Sequence, residues 1–246
     1  MVGALVTSTS EDDFLQAYDA ERFQRPSLAV DVVLLTVVEH SLRALVIQRH
    51  EHPYQGCWTL PGGFVGIDEG LADASRRVLR EKASLSDVFL EQLHTFGDPA
   101  RDPRTRIVTV AHVALVDAAR APAEGAGRWA RIEVPWAGHT GGPVELFIDD
   151  EPVELGFDHA AIVGWAVRRL RERLDASPIG FQLLPARFTL RQLQEVHETV
   201  RGDLVNKDSF RRRMLASGQL EATGERERAV GHRPAELYRF HRRAAV

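Results

Sequence analysis

The sequence predicts a mixed α/β domain followed by a smaller, basic domain of helices and a terminal hairpin. In the first part, segments with strand-like alternation surround a single amphipathic helix, which is typical of mixed α/β domains. In the second part, two short helices with capping residues precede two strand-like segments. The charge divides at the same place: residues 177–246 contain 13 Lys and Arg against 8 Asp and Glu, whereas residues 1–176 contain 18 against 27. The net charge of −4 therefore does not exclude nucleic acid as a partner.

Composition limits the class of protein. The 246 residues are 44% hydrophobic and 27% charged, which predicts a folded globular chain. The longest apolar run, residues 32–38, is far shorter than the roughly 20 residues of a membrane helix, and an acidic N-terminal segment is unlike a signal peptide. We therefore expect a cytoplasmic protein with no membrane contact. The single cysteine, Cys57, excludes an internal disulfide, and we interpret it as a packing residue in preference to a nucleophile.

Hydrophobic periodicity places the elements of the first domain. Residues 105–116 alternate with a period of two, as expected for a strand with one buried face. Residues 70–83 and His159–Leu174 have apolar positions at helical spacing. A short polar segment precedes the first strand, and its sequence is compatible with a helix. Strands are predicted at 28–38, 42–48, 88–96, 105–116, 129–134 and 144–148, with a loop at 118–127.

A glycine-rich entry to the first helix carries the most specific motif. Gly63, Glu69, Arg77 and Glu81 follow the spacing Gly-x5-Glu-x7-Arg-x3-Glu, and an apolar residue, Leu85, comes shortly after. This pattern resembles the Nudix box. The resemblance implies a Nudix-like α/β (α+β) sandwich, a family whose members commonly hydrolyse nucleoside diphosphates linked to another moiety. The structural alternative is an ordinary loop followed by a helix with a solvated face.

Two positions depart from the Nudix pattern. The family has glutamates at the positions of Val78, Glu81 and Lys82, three carboxylates on one helical face that bind a divalent cation. Val78 offers no ligand, and the ammonium of Lys82 would repel a cation. Because metal orients water in such hydrolysis, we predict no hydrolase activity, no metal and no required cofactor. Lys82 would instead contact a ligand phosphate or pair with an acid, and glutamate at positions 78 and 82 should improve metal binding.

Arginines supply the rest of the predicted ligand site. Arg101 and Arg104 lie in a turn-rich segment and can present planar forks to a diphosphate, while Arg49 ends the second strand. Ion pairs on the surface of an acidic domain are the alternative for these arginines. The resemblance implies ADP-ribose or a related nucleotide as the effector. The candidate ligand-binding residues are Arg49, Gly63, Arg77, Glu81, Lys82, Arg101 and Arg104.

Two short helices near the C-terminus resemble a helix-turn-helix. Thr189 and Gln192 form a capping box that opens the first helix, which Gly202 ends. Asn206 caps the second helix, residues 207–217. The strand-like segments that follow would form the two strands of a wing, so that the domain is a winged helix-turn-helix.

The second helix carries the candidate base-reading residues. Helical spacing predicts that Phe210, Met214 and Leu215 are buried and that Ser209, Arg212 and Arg213 point outward, with Arg211 among the apolar positions as a structural or phosphate-binding residue. An outward arginine can bind guanine bidentately in the major groove, and wing arginines suit phosphates or the minor groove. A basic protein-binding winged domain is the alternative. The candidate DNA-binding residues are Thr189, Ser209, Arg211, Arg212, Arg213, Arg226, Arg228 and Arg233.

The combination of the two domains is more specific than either. With the lead segments 14–19 and 25–31 and the ending 233–240, the chain is similar to the Nudix-related transcriptional regulators of NAD metabolism, the NrtR family. The resemblance implies a homodimeric regulator, usually a repressor, of NAD biosynthesis or salvage genes, released from DNA by ADP-ribose or a related nucleotide. One recognition helix reads few base pairs, so a homodimer would bind palindromic double-stranded operator DNA.

Two further functions stay open. One is an active pyrophosphohydrolase of the ADP-ribose type with an accessory C-terminal domain, and the other is an RNA-binding or protein-scaffolding winged domain. For the organisation of the chain, we predict an N-terminal lead at 1–26, a Nudix-like ligand-sensing domain at 27–157, a connecting helix at 158–176 and a winged helix-turn-helix domain at 177–246. We expect the connecting helix to carry any conformational change between the two domains.

Overall fold

A nine-stranded mixed sheet forms the centre of the first domain. The computed structural model describes residues 10–122, 127–228 and 233–241, so parts of the predicted lead, loop and wing lie outside it. Strand order is β5-β6-β1-β2-β7-β8-β9, with β3 paired to β2 and β4 to β1. The β1–β6 pair is parallel and the other pairs are antiparallel. The strands are β1 Ser27–Val38, β2 Ser41–Gln48, β3 Trp58–Thr59, β4 Gly62–Phe64, β5 Phe89–Phe96, β6 Ile107–Leu115, β7 Arg128–Glu133, β8 Glu145–Ile148 and β9 Glu151–Val153.

Both faces of the central strand β1 are buried. Helices α2 Leu71–Ala83 and α3 His159–Leu174 pack on opposite sides of the sheet, whereas none of the residues of α1 Glu11–Ala17 is buried. Val30, Val32 and Leu34 of β1 belong to the cluster that includes α2, whereas Val33 and Leu35 belong to the cluster that includes α3. This explains why β1 is an almost continuous apolar run. The predicted strands and helices are confirmed, and the three short strands β3, β4 and β9 were not predicted because two or three residues show no periodicity.

The second domain has the predicted order of elements. Its helices are α4 Leu190–Arg201 and α5 Lys207–Ala216, and its hairpin pairs β10 Leu220–Arg226 with β11 Glu236–Phe240. The predicted capping box is present at the start of α4, and Asn206 accepts a hydrogen bond from the Ser209 N–H. Phe210 and Met214 are buried, but Leu215 is 44% exposed, so its predicted burial is wrong. The buried residues of α5 are Phe210 and Met214, which form a narrow stripe along the helix. Leu215 lies about 100° around the helix from Met214 and therefore faces away from the core.

The connecting helix α3 packs closely on the first domain. At Gly164, an added Cβ would lie 2.3 Å from the carbonyl oxygen of Gly142, so only glycine allows this approach. The apolar cluster under α3 continues into the second domain through Phe188, Leu193 and Tyr238. Arg171 is buried although it lies among charged residues in the sequence of this helix, because it supplies hydrogen bonds at the contact between the two domains. No helix among the described residues is both long and apolar enough to span a membrane.

Candidate functional site

A polar cavity of about 240 Å³ opens between β1, β4, α2 and the start of α3. Its cations come from different segments: Arg49 follows β2, Lys82 is on α2, and Arg101 and Arg104 lie between β5 and β6. Five of the predicted ligand-binding residues line this cavity: Arg49, Gly63, Lys82, Arg101 and Arg104. The lining also includes residues that the sequence did not single out: Asp31, Asp102, Phe64, Phe157 and His159.

Arg77 and Glu81, the other two predicted ligand residues, do not line the cavity. Arg77 binds both carboxylate oxygens of Glu69 at 2.8 Å, donates to the Phe64 carbonyl at 2.9 Å, and lies 3.5 Å from Glu81. The hydrogen bonds from Arg77, and one from the Gly66 N–H, hold the pKa of Glu69 at about 2. These contacts fasten the glycine-rich loop to α2, which is a structural use of the motif rather than a contact with a ligand.

The guanidinium of Arg101 is already paired with carboxylates, contrary to the expectation that it is available to bind a diphosphate. Its guanidinium is buried and binds the two oxygens of Asp158 at 2.7 and 2.9 Å, and Asp31 at 3.3 Å. Burial works against the charged form, but the two carboxylates outweigh it and raise the pKa of Arg101. The arginine therefore joins β1 to the residue before α3.

His159 completes this buried network. Its Nδ1 accepts a hydrogen bond from the Leu60 N–H at 2.9 Å, so its proton is on Nε2, which lies 3.5 Å from Asp31. Burial lowers the pKa of His159, and the ring is therefore neutral at pH 7. One signal for the network was present in the sequence: Asp31 stands within the apolar run of β1, and a buried carboxylate needs partners. Its partners lie too far along the chain to be identified by spacing.

Two aromatic rings line the cavity beside its remaining arginines. The guanidinium carbons of Arg49 and Arg104 lie 5.1 and 5.9 Å from the centre of the Phe157 ring, and Arg104 is 5.6 Å from that of Phe64. Arg104 also donates to Asp102 from Nε at 3.0 Å and from Nη2 at 2.7 Å, whereas Arg49 donates from Nε to the Pro53 carbonyl at 2.8 Å. This part of the cavity lining therefore combines guanidinium groups with aromatic rings.

Lys82, like Arg49, is a cavity cation without a close carboxylate among the described residues. Among the described residues no acid lies within 4.0 Å of its ammonium, and Asp31 and Glu81 act on it only at longer range. Burial of the ammonium and the nearby charge of Arg49 lower the pKa of Lys82. The described residues contain no group of three or more His, Cys, Asp or Glu placed to hold a metal ion. Val78 is 1% exposed and packs in the core, on the side of α2 that faces β1.

The predicted reading face of α5 is exposed but not uniform. Ser209, Arg211, Arg212 and Arg213 are all exposed. Arg212 has no hydrogen bond or ion pair among the described residues, whereas Arg213 lies 5.5 Å over the Phe210 ring and 3.4 Å from Asp175. Both arginines are exposed, as the helical spacing predicts, but their surroundings differ, because the end of α3 approaches only Arg213.

The other predicted DNA contacts differ in exposure. Thr189 is 3% exposed, and its hydroxyl is used in the capping box with Gln192, which leaves little of its side chain for DNA. Arg211 faces Tyr238 across a groove between α4, α5 and the wing. Arg226, Arg228 and Arg233 are exposed in the wing, and the residues between the last two lie outside the described part of the chain.

The two domains meet at the end of α3. The buried Arg171 donates from Nε to the Val200 carbonyl at 2.8 Å, and from another nitrogen to the carbonyls of Trp136 and Gly138 at 3.0 and 3.3 Å. Burial lowers the pKa of Arg171, and its guanidinium lies 4.7 Å over the Trp136 ring. The helix that begins at the cavity with His159 thus ends in contact with the helix-turn-helix.

Comparison with known proteins identifies both domains. Residues 25–139 match the family model of the NUDIX domain, and residues 180–240 match that of the NrtR DNA-binding winged helix domain. An ADPR responsive transcriptional repressor, NtrR, from Acinetobacter baylyi is 32% identical over 241 residues, which are 96% of this chain and 90% of that protein.

Solved structures show the same arrangement. The crystal structure of Shewanella oneidensis NrtR in complex with a 27mer DNA matches with a TM-score of 0.72 and 32% identity, over 87% of this chain and 93% of that one. The NUDIX domain of Shewanella oneidensis NrtR with ADP ribose matches with a TM-score of 0.50 and 32% identity, over 66% of this chain and 99% of that one.

Proposed function

The chain belongs to the NrtR family of Nudix-related transcriptional regulators, and on that premise we propose that it is a DNA-binding repressor of NAD biosynthesis or salvage genes. Its Nudix domain senses ADP-ribose or a related nucleotide, and binding of that effector releases the operator. We propose that the protein acts in the cytoplasm, because a repressor has to reach its operator DNA. The related repressor that responds to ADPR and the related structures with DNA and with ADP ribose support this function.

The course of α3 is the observation that carries the proposal. Its first residue, His159, and the preceding Asp158 belong to the buried network of the cavity. At its other end, Arg171 in the last turn and Asp175, the residue after the helix, contact the helix-turn-helix. A helix of 16 residues is about 24 Å long and nearly rigid. A ligand that displaces the network at one end therefore shifts the DNA-binding helices at the other. Coupling of this kind requires that ligand and DNA favour different positions of α3.

In the cavity, Lys82 and Arg49 contact the diphosphate of the ligand. The support is that Lys82 lacks a close carboxylate, whereas the guanidinium groups of Arg101 and Arg104 are bound to aspartates. The Phe64 and Phe157 rings supply a surface for stacking a ribose or a base. The same ammonium keeps the site from acting as a hydrolase, because it stands where a divalent cation would have to bind.

DNA is read by a homodimer that binds a palindromic operator. Arg212 and Ser209 on α5 face the major groove, and the wing arginines contact phosphates or the minor groove. Dimerisation follows from the small number of base pairs that one helix of ten residues reads. Light scattering of the purified chain tests the oligomeric state.

The decisive experiment selects bound duplexes from a random pool and measures their affinity with and without ADP-ribose. The proposal expects a palindromic sequence and an affinity that falls at least fivefold at saturating ADP-ribose. Equal binding to all duplexes would indicate an RNA-binding or scaffolding domain. Turnover of ADP-ribose with Mg²⁺ or Mn²⁺ above about one per second, within the ordinary range of enzymes, would indicate the pyrophosphohydrolase.

A further inference from the structure

Asp175 lies where the connecting helix meets the recognition helix. It is the residue after α3, and its carboxylate contacts two arginines: Oδ2 is 2.8 Å from Arg201 at the end of α4, and Oδ1 is 3.4 Å from Arg213 on α5. The Nδ1 of His197 lies 3.9 Å from the same carboxylate. One carboxylate thus contacts side chains from both helices of the helix-turn-helix.

The three side chains of these ion pairs are partly exposed to solvent. About half of the Asp175 side chain is exposed, as are 48% of Arg213 and 38% of Arg201. Ion pairs this open to water contribute little to folding, because solvent screens the charges. A DNA phosphate offers the same arginines a partner of equal charge and more acceptor oxygens. Phosphate and Asp175 are therefore alternative partners for Arg213.

We propose that Asp175 limits the affinity of the recognition helix for DNA by holding Arg213 and Arg201 as an intramolecular substitute for phosphate. The inference rests on the proposed DNA binding of this chain. In the free protein the carboxylate neutralises these cations at the edge of the reading face. In the wild-type complex the carboxylate keeps Arg213 from pairing with a DNA phosphate, and the aspartate repels the backbone nearby. Because Asp175 follows α3 directly, its position depends on the same helix that begins at the ligand cavity.

Substitution of Asp175 by asparagine tests this inference in the full chain. Binding is measured by fluorescence anisotropy with a random-sequence duplex and with the duplex selected from the pool, between 50 and 200 mM salt. We expect D175N to bind both duplexes about 3- to 10-fold more tightly at low salt. The slope of log affinity against log salt should become steeper by about 0.9 for each phosphate gained. Asp175→Glu keeps the charge and should keep the slope of the wild type.

Matched variants separate this effect from a change in net charge. Glu172→Gln removes one charge from the same helix, where Glu172 pairs with Arg168 and Arg169 and not with the helix-turn-helix, and it should leave the slope unchanged. Adding Arg213→Ala to D175N should abolish most of the gain. An unchanged slope in D175N, or an equal gain in E172Q, overturns the role of Asp175 while leaving DNA binding intact. A wild-type chain that binds no duplex overturns both the role and the proposed function.

Discussion

The guanidinium of Arg171 on α3 donates from Nε to the carbonyl oxygen of Val200 in the last turn of α4, at 2.8 Å. Carbonyls at the end of a helix lack partners within the helix, and a cation there also interacts favourably with the helix dipole. The same side chain donates to Trp136 and Gly138 in the loop between β7 and β8. One buried arginine therefore joins the sensor domain, the connecting helix and the DNA-binding domain.

Replacing this arginine should uncouple the two domains. Met fills a similar volume but has no donor, so Arg171→Met leaves three carbonyl oxygens without their partner. We expect a loss of about 1 to 3 kcal/mol in the free energy of unfolding and a smaller effect of ADP-ribose on DNA affinity. Urea unfolding and anisotropy with and without ligand measure the two effects. Arg168→Met, which removes a partly exposed arginine of the same helix, should change neither quantity. If Arg171→Met leaves both stability and the effect of ADP-ribose unchanged, the coupling role of Arg171 is contradicted.

The charge at position 82 should decide what the cavity binds. Lys82→Glu puts a carboxylate near Glu81 and Asp31, so we expect weaker ADP-ribose binding, about tenfold, and measurable binding of Mn²⁺. Isothermal titration calorimetry with each ligand checks both. Lys82→Gln is the control, since it removes the ammonium without adding an acid and should weaken ADP-ribose binding alone. If the affinity for ADP-ribose is unchanged in both variants, the diphosphate does not bind at Lys82.

Val78 cannot be tested in the same way. The sequence suggested glutamate at both positions 78 and 82, but Val78 is 1% exposed in the core beside Gly63. Val78→Glu would bury a carboxylate without a partner, which we expect to destabilise the fold by roughly 3 kcal/mol. Because burial disfavours the charged form, the pKa of the new acid should also be raised. Urea unfolding at pH 5 and pH 8 checks this expectation, because an acid with a raised pKa destabilises more at the higher pH. Equal stability to the wild type at both values would show that α2 can rotate this position outward.

Arg212 should determine sequence preference more than its neighbour does. Arg212 is exposed without a partner among the described residues, so Arg212→Ala should cost about 1 to 3 kcal/mol on the selected duplex and much less on a random one. Arg226→Ala in the wing should weaken binding to both duplexes similarly and reduce the salt slope by about 0.9. Competition between the two duplexes measures the difference. A uniform loss for Arg212→Ala would identify it as a phosphate contact.

The sequence predicted which segments form the two domains and most of the cations near the cavity, but not how these cations are paired. Spacing on α5 separated exposed from buried positions except at Leu215, yet only the fold shows that the end of α3 lies against Arg213 and that no described residue pairs with Arg212. In the same way, Arg101 looked available in its turn-rich segment, because its partners Asp31 and Asp158 lie on distant elements. Periodicity reports which side of an element is buried, and it carries no information on the neighbour that covers it.

His197 should make the stability of the DNA-binding domain depend on pH. The ring is 3% exposed, and its centre lies 5.0 Å from that of Phe210. Its Nδ1 has no hydrogen-bond partner within the part of the chain that the structure describes. Burial lowers the pKa of His197 to about 4. The positive charges of Arg213 and Arg201 add to this shift, and the negative charge of Asp175 opposes it only weakly. The unfolded chain, with an ordinary histidine pKa near 6.5, therefore binds more protons between these two values, and stability falls as the pH drops from about 6.5 towards 4.

The variant His197→Gln isolates this contribution, since glutamine does not titrate. His112 and His159 also have lowered pKa values, so the wild type loses stability at low pH for several reasons. Between pH 7 and pH 5, the loss in unfolding free energy should be about 2 kcal/mol smaller in His197→Gln than in the wild type. Urea unfolding at both pH values measures this difference, and His94→Gln, which replaces an exposed histidine, should behave as the wild type. If the loss is the same in all three chains, His197 is already protonated or solvated in the folded state.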